Sequence, residues 1–142
     1  MITKNTYNSN GGDGISLYYS DLNSIIWNTM LRNGDYGIEV SQGSDNNSIH
    51  HNSFIENEQQ AYDGGTNNQW YDDTVLEGYY WSDYDGTGSY LIAGPAGASD
   101  PCPIDDPYLK KGIDFFSILI RIGLFLGILG TLAVTIFLSR RR

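Results

Sequence analysis

The chain is poor in the residues from which most chemical sites are built. One cysteine in 142 residues excludes an internal disulfide framework and any zinc site made of several thiolates. Cys102, between Pro101 and Pro103, reads as a free loop thiol, or as one joined to another chain where the loop faces an oxidising space. Histidine is nearly as scarce, with His50 and His51 side by side and no others. Eight basic residues stand against 17 acidic ones, a net charge of −9. All 17 acids lie at or before Asp114, accompanied only by Lys4, Arg32, Lys110 and Lys111. So acidic a body lacks the basic face that phosphates require, and no nucleic-acid partner is expected. It reads as a well-hydrated extracellular or high-salt surface. No apolar run of signal-peptide length follows Met1, and no polar cap precedes the first pattern.

Repetition is what the chain has in abundance. Residues 47–57, Asn-Ser-Ile-His-His-Asn-Ser-Phe-Ile-Glu-Asn, fall 24 positions earlier on Asn-Ser-Ile-Ile-Trp-Asn-Thr-Met-Leu-Arg-Asn. A further 23 positions back, Ile2, Asn5, Tyr7 and Asn10 fill the same places. Forward by 21, Trp70, Asp73, Val75 and Gly78 give a decayed fourth copy. A second block recurs as Gly14-Ile15-Ser16-Leu17, Gly37-Ile38-Glu39-Val40 and Gln60-Ala61-Tyr62-Asp63. Such a period is the mark of a solenoid. Apolar residues alternate or flank an Asn, so the units are short strands rather than helices. The pattern predicts an all-β, right-handed parallel β-helix of about three to four coils, with apolar columns inside. Asn tolerates left-handed backbone, so Asn5, Asn28 and Asn52 are expected to stack at one corner, about 4.8 Å apart.

These repeats resemble the right-handed β-helix family that includes NosD-type periplasmic copper-accessory proteins and carbohydrate-binding or sugar-hydrolysing domains. Residues 67–72 (Asn-Asn-Gln-Trp-Tyr-Asp), 80–84 (Tyr-Trp-Ser-Asp-Tyr) and 97–101 (Gly-Ala-Ser-Asp-Pro) are similar to the closing segment of archaeal members. The resemblance spans roughly residues 1–104. It implies the fold and carries over no ligand residue.

Coils and cap are expected over 1–84, an irregular wrap and linker over 85–112, a transmembrane helix over 113–139, and a basic tail at 140–142. The aromatic-rich end, with Trp70, Tyr80, Trp81 and Tyr84, suits a cap over the last apolar column. The same four rings are the candidates for a glycan-stacking platform. Residues 115–138 are apolar or small except for Arg121, and the unbroken 17 from 122 to 138 span roughly 25 Å as a helix. Arg121 near the N-terminal end can snorkel, and Arg140, Arg141 and Arg142 place the opposite, C-terminal end in the cytoplasm. The β-helix then lies outside, on a single-pass membrane anchor. Gly123 and Gly127 suit close pairing of two such helices.

The candidates for chemistry are few. Adjacent strand residues point to opposite faces, so His50 and His51 are expected to be solvated and unable to share a metal easily, unless an Asn corner splays them outward together. On that reading, loss of the His51 ring is nearly neutral. Asp83 and Asp85, in Asp-Tyr-Asp-Gly-Thr-Gly, resemble the opening of a calcium loop, but Ile92 stands where its Glu belongs. The neighbours Asp72 and Asp73 are poorly placed as a glycosidase pair, and catalysis is not expected. Asn46 opens the one N-glycosylation sequon, Asn46-Asn47-Ser48. The reading is a membrane-anchored surface protein with a structural, adhesive or glycan-binding role, needing no cofactor. Its partners are the lipid bilayer, glycans, and further coils or a second chain against the N-terminal face. The alternative is a membrane-tethered accessory for copper or carbohydrate handling.

Overall fold

The computed structural model describes residues 1–104. Three coils follow one another. The first holds β1 (Ile2–Thr3), β2 (Thr6–Asn8) and β3 (Ile15–Leu17). The second holds β4 (Ser24–Ile26), β5 (Thr29–Leu31) and β6 (Tyr36–Val40), and the third β7 (Ser48–His50), β8 (Ser53–Ile55) and β9 (Gln59–Asp63). Like strands pair in parallel to give the orders β1-β4-β7, β2-β5-β8 and β3-β6-β9. The register is that of the sequence repeat, with Ile2 on Ile25 on Ile49, Tyr7 on Met30 on Phe54, and Ile15 on Ile38 on Ala61. The parallel solenoid is therefore as expected. The helix expected over 113–139, with Gly123 and Gly127, lies outside the described residues; among these no helix is long and apolar enough to cross a membrane.

The interior is a set of apolar columns. Ile25, Met30, Ile38, Val40, Ile49 and Phe54 are all completely buried, and such burial stabilises by about 1.5–3 kcal/mol per large side chain. Asparagine runs in three columns, the expected one among them. Asn5, Asn28 and Asn52 form the first, Asn10, Asn33 and Asn57 the second, Asn23, Asn47 and Asn68 the third. In each column the backbone N–H and the side-chain amide of one Asn both donate to the Oδ1 of the next. All three ladders therefore share one polarity along the solenoid. Each ladder Asn follows a residue in the left-handed region: Lys4, Trp27 and His51, then Ser9, Arg32 and Glu56, then Leu22, Asn46 and Asn67, with φ between 51° and 59°. That reversal makes the corner.

Above the third coil the repeat changes. Trp70 takes the place of the decayed copy, since Gln69 bridges to Ser48. Asp73 and Val75 do not, being exposed on a strap between Trp70 and Tyr79. β10 (Tyr80–Trp81) then resumes the stack by pairing with β8, Trp81 over Phe54. The antiparallel pair β11 (Tyr90–Leu91) and β12 (Ser99–Asp100) closes the end. The Trp81 ring lies between Phe54 at 4.4 Å and Tyr90 at 4.0 Å, both within 8° of parallel. Two buried carboxylates hold the cap by its indoles, Asp63 accepting from Trp70 Nε1 (2.6 Å) and Asp100 from Trp81 Nε1 (3.0 Å). The Tyr79 hydroxyl donates to the Ile49 carbonyl. Its ionisation is pushed well above the usual tyrosine range, chiefly by burial, then by the charges of Asp100 and Asp63.

Candidate metal centre

One corner column carries unlike side chains. Lys4, Trp27 and His51 each precede an Asn of the first ladder and share left-handed backbone. The pairing of Gln69 with Ser48 extends that column, because the same 21-residue offset sets Trp70 beside Ile49 and Asp72 beside His51. In a strand His50 and His51 point apart. The left-handed turn at His51, φ 56°, cancels the alternation and brings both rings to one side.

The two Nδ1 atoms lie 2.6 Å apart, and His50 Nδ1 is 3.9 Å from Asp72 Oδ2. One ligand atom from each of the three residues falls within 4.8 Å of the others. His51 is buried, at 7% exposure. It is covered on one side by the Trp27 ring, stacked at 4.4 Å and 17°, and it bonds Glu77 Oε2 through Nε2 at 2.9 Å. The Asp72 Oδ1 atom is committed to a turn, accepting from Thr74 N (2.9 Å) and Oγ1 (2.6 Å). These hydrogen bonds hold its carboxyl below the usual carboxylate range, with a smaller contribution from His50 and His51. At that spacing two bare nitrogen lone pairs repel, so the Nδ1 pair shares a proton or a metal ion. Two imidazole nitrogens and a carboxylate oxygen suit copper, nickel or zinc, and suit neither calcium nor magnesium, which take oxygen.

The structure thus corrects two expectations. His51 is not solvated, and the pair does not diverge; the strand rule fails because His51 is not in a strand. Asp83 and Asp85 are not joined by a third ligand among the described residues. Asp85 caps Thr87 and Asp83 accepts from the Tyr90 hydroxyl, an ordinary turn. Trp70 and Trp81, at 1% exposure each, are core and offer no face to a glycan. Tyr80 and Tyr84 are half-buried, and the Tyr84 hydroxyl is spent on the Gly88 carbonyl (2.7 Å). Asn46 is exposed at its corner, as a glycosylation acceptor must be. The sequence reading left out Trp27, Glu77 and the role of Asp72; the 21-residue offset already held the signal for Asp72.

Comparison with known proteins agrees with this architecture. The family model described as "Periplasmic copper-binding protein (NosD)" matches residues 1–86. A curated relative, the "Probable ABC transporter binding protein NosD" of Stutzerimonas stutzeri, is 37% identical over 76 residues. That match covers 52% of this chain and 17% of the relative, so the chain corresponds to a small part of that protein's length. No solved structure matches. The family match takes in all three coils, both histidines and the strap with Asp72 and Glu77, and the chain belongs to the family described as periplasmic copper-binding protein (NosD).

Proposed function

We propose that this solenoid is a copper-binding domain whose ligands are His50 Nδ1, His51 Nδ1 and the free oxygen of Asp72. The observation that carries the reading is the convergence of these three groups within 4.8 Å in a chain with no other histidine. Two imidazole nitrogens with one carboxylate oxygen are a donor set that copper(II) accepts. The family description supports the same metal.

The residues divide the work. Thr74 fixes Asp72 through Oδ1 and leaves Oδ2 turned toward His50. Trp27 covers one face of the His51 ring and excludes water from it. The Asn52 ladder anchors the corner directly after His51, its amide donating to the His50 carbonyl (3.1 Å). His50, His51 and Asp72 would hold the copper ion, which would supply positive charge to the corner. Such a site stores or passes on an ion and performs no turnover. The largely apolar stretch 113–139 would serve as a single-pass anchor, with the solenoid outside the cell and the C-terminus in the cytoplasm.

The test is titration of the full chain in detergent with Cu²⁺, read by quenching of Trp27 fluorescence and by calorimetry. One ion per chain is expected, with binding lost in His50→Ala and His51→Ala and weakened in Asp72→Asn. Unchanged stoichiometry and affinity in all three variants would refute the assignment.

A further inference from the structure

We infer that Glu77 is a positioning residue of this site, which sets the tautomer of His51 and through it the affinity for the metal. The inference rests on the copper reading above and deepens it. A carboxylate can only accept a hydrogen bond, so the 2.9 Å contact with Glu77 Oε2 puts a proton on His51 Nε2. In the neutral ring the lone pair is then on Nδ1, the atom that faces His50. A histidine held the other way round would present an N–H to the metal position. The acidic partner also makes the imidazole a more basic ligand, as carboxylate–histidine pairs do in metal sites generally.

The fold shows how Glu77 comes to be there. The strap leaves the solenoid after Trp70 and folds on itself, with Asp72 N–H donating to the Glu77 carbonyl (2.8 Å) and Glu77 N–H to the Asp72 carbonyl (3.2 Å). Leu76 takes left-handed backbone, φ 55°, and turns the chain back. One short loop therefore delivers a ligand carboxylate and a supporting carboxylate to the same ring pair. Glu77 itself is largely exposed, its side chain 52% accessible, and contributes little to the core. Its contact with a ring that is 93% covered is thus not explained by packing. The groups facing His51 are His50, Asp72, Glu77 and the Trp27 ring. Of these Glu77 is the one bonded to Nε2.

The experiment has a metal-free arm and a copper arm. In ¹⁵N-labelled full chain without metal, long-range ¹H–¹⁵N spectra of the imidazoles report which nitrogen carries the proton. His51 is expected as the Nε2–H tautomer in the parent and in Glu77→Gln, whose amide oxygen still accepts, and as a mixture in Glu77→Ala. Copper affinity is expected to fall by about 10–100-fold in Glu77→Ala and to be largely restored in Glu77→Gln. An Nδ1–H tautomer in the parent, or the same spectrum in Glu77→Ala, overturns the inference. So does a copper affinity untouched by Glu77→Ala in a chain that binds copper through His51. If the tautomer responds as stated and the parent takes up no copper, the copper reading falls while the hold of Glu77 on His51 stands.

Discussion

Asn52 offers the sharpest test of what holds the coils together. It is completely buried. Its Oδ1 accepts from Asn28 N (2.9 Å) and Asn28 Nδ2 (3.1 Å), and its Nδ2 donates to the carbonyls of Ile25 (2.8 Å) and His50 (3.1 Å). Leucine has nearly the same shape and none of these bonds. In Asn52→Leu the Asn28 N–H is stranded, at about 1–3 kcal/mol, and the other three bonds cost about 0.5–1.5 kcal/mol each. The Asn28 amide keeps its bonds to the carbonyls of Ile2 (3.0 Å) and Ile26 (3.1 Å), and leucine recovers some apolar burial. The net loss is therefore about 3–5 kcal/mol. Domains of this size have about 5–15 kcal/mol in all, so the midpoint of unfolding falls by on the order of 15–30 °C.

Two companion variants separate the ladder from simple burial. Asn5 stands at the exposed end of the same column and bonds only Thr3 O and Asn28 Oδ1 through its amide. Asn5→Leu is expected to cost less than about 1 kcal/mol. Asn52→Asp keeps the acceptor and sets a second oxygen against the two carbonyls, so it should be worse than leucine. Guanidinium unfolding of the full chain gives the energies, and native-state exchange of the Asn28 amide gives the local effect. Equal losses at positions 5 and 52, or an aspartate milder than leucine, would refute a directional ladder.

Trp81→Ala removes a ring sandwiched between Phe54 and Tyr90 and should cost about 3–5 kcal/mol by calorimetry; a neutral result would mean the aromatic end is not a cap. Stability should also fall as the pH climbs past about 10. There the unfolded chain releases tyrosine protons that folded Tyr79 retains, because burial raises its pKa. Spectrophotometric titration should show Tyr79 ionising only as the cap opens, and a reversible early titration of all tyrosines would contradict this. Removing everything after Lys111 should release the chain from membranes, and a truncated chain that still sediments with them would refute the anchor.

Much of the fold was legible because a solenoid writes its register into its period. The offsets of 23 and 24 residues become the pairings of Ile15 with Ile38 and of Ile25 with Ile49. The third ladder was equally visible, since Asn23 and Asn47 lie 24 residues apart and Asn47 and Asn68 lie 21 apart, the offset of the decayed copy. The cap was legible only as a composition. Trp81 lies 27 positions after Phe54, because the strap adds residues that no earlier coil contains. Trp70 and Trp81 could be read as ligand platform or as core, and what decides is the packing of Tyr79 against Trp70 and of Tyr90 over Trp81.

The metal corner was hidden for a different reason. Residues inside the coil answer to the apolar column, and the ladder asparagines answer to one another, so both repeat. The left-handed residue just before each Asn answers to neither. At that place in the first ladder the chain carries Lys4, Trp27 and His51, three side chains with nothing in common as a pattern, and the strap brings Asp72 to the last of them. A search for repetition passes over such a column, and the strand rule assigns its neighbours to the wrong faces. Yet the backbone there is as fixed as anywhere in the coil, being tied at Asn28 and Asn52 on either side. The column therefore combines a rigid frame with free choice of side chain, which is what a ligand site requires. In this fold, function is to be sought at the positions that break the repeat immediately before the residues that keep it.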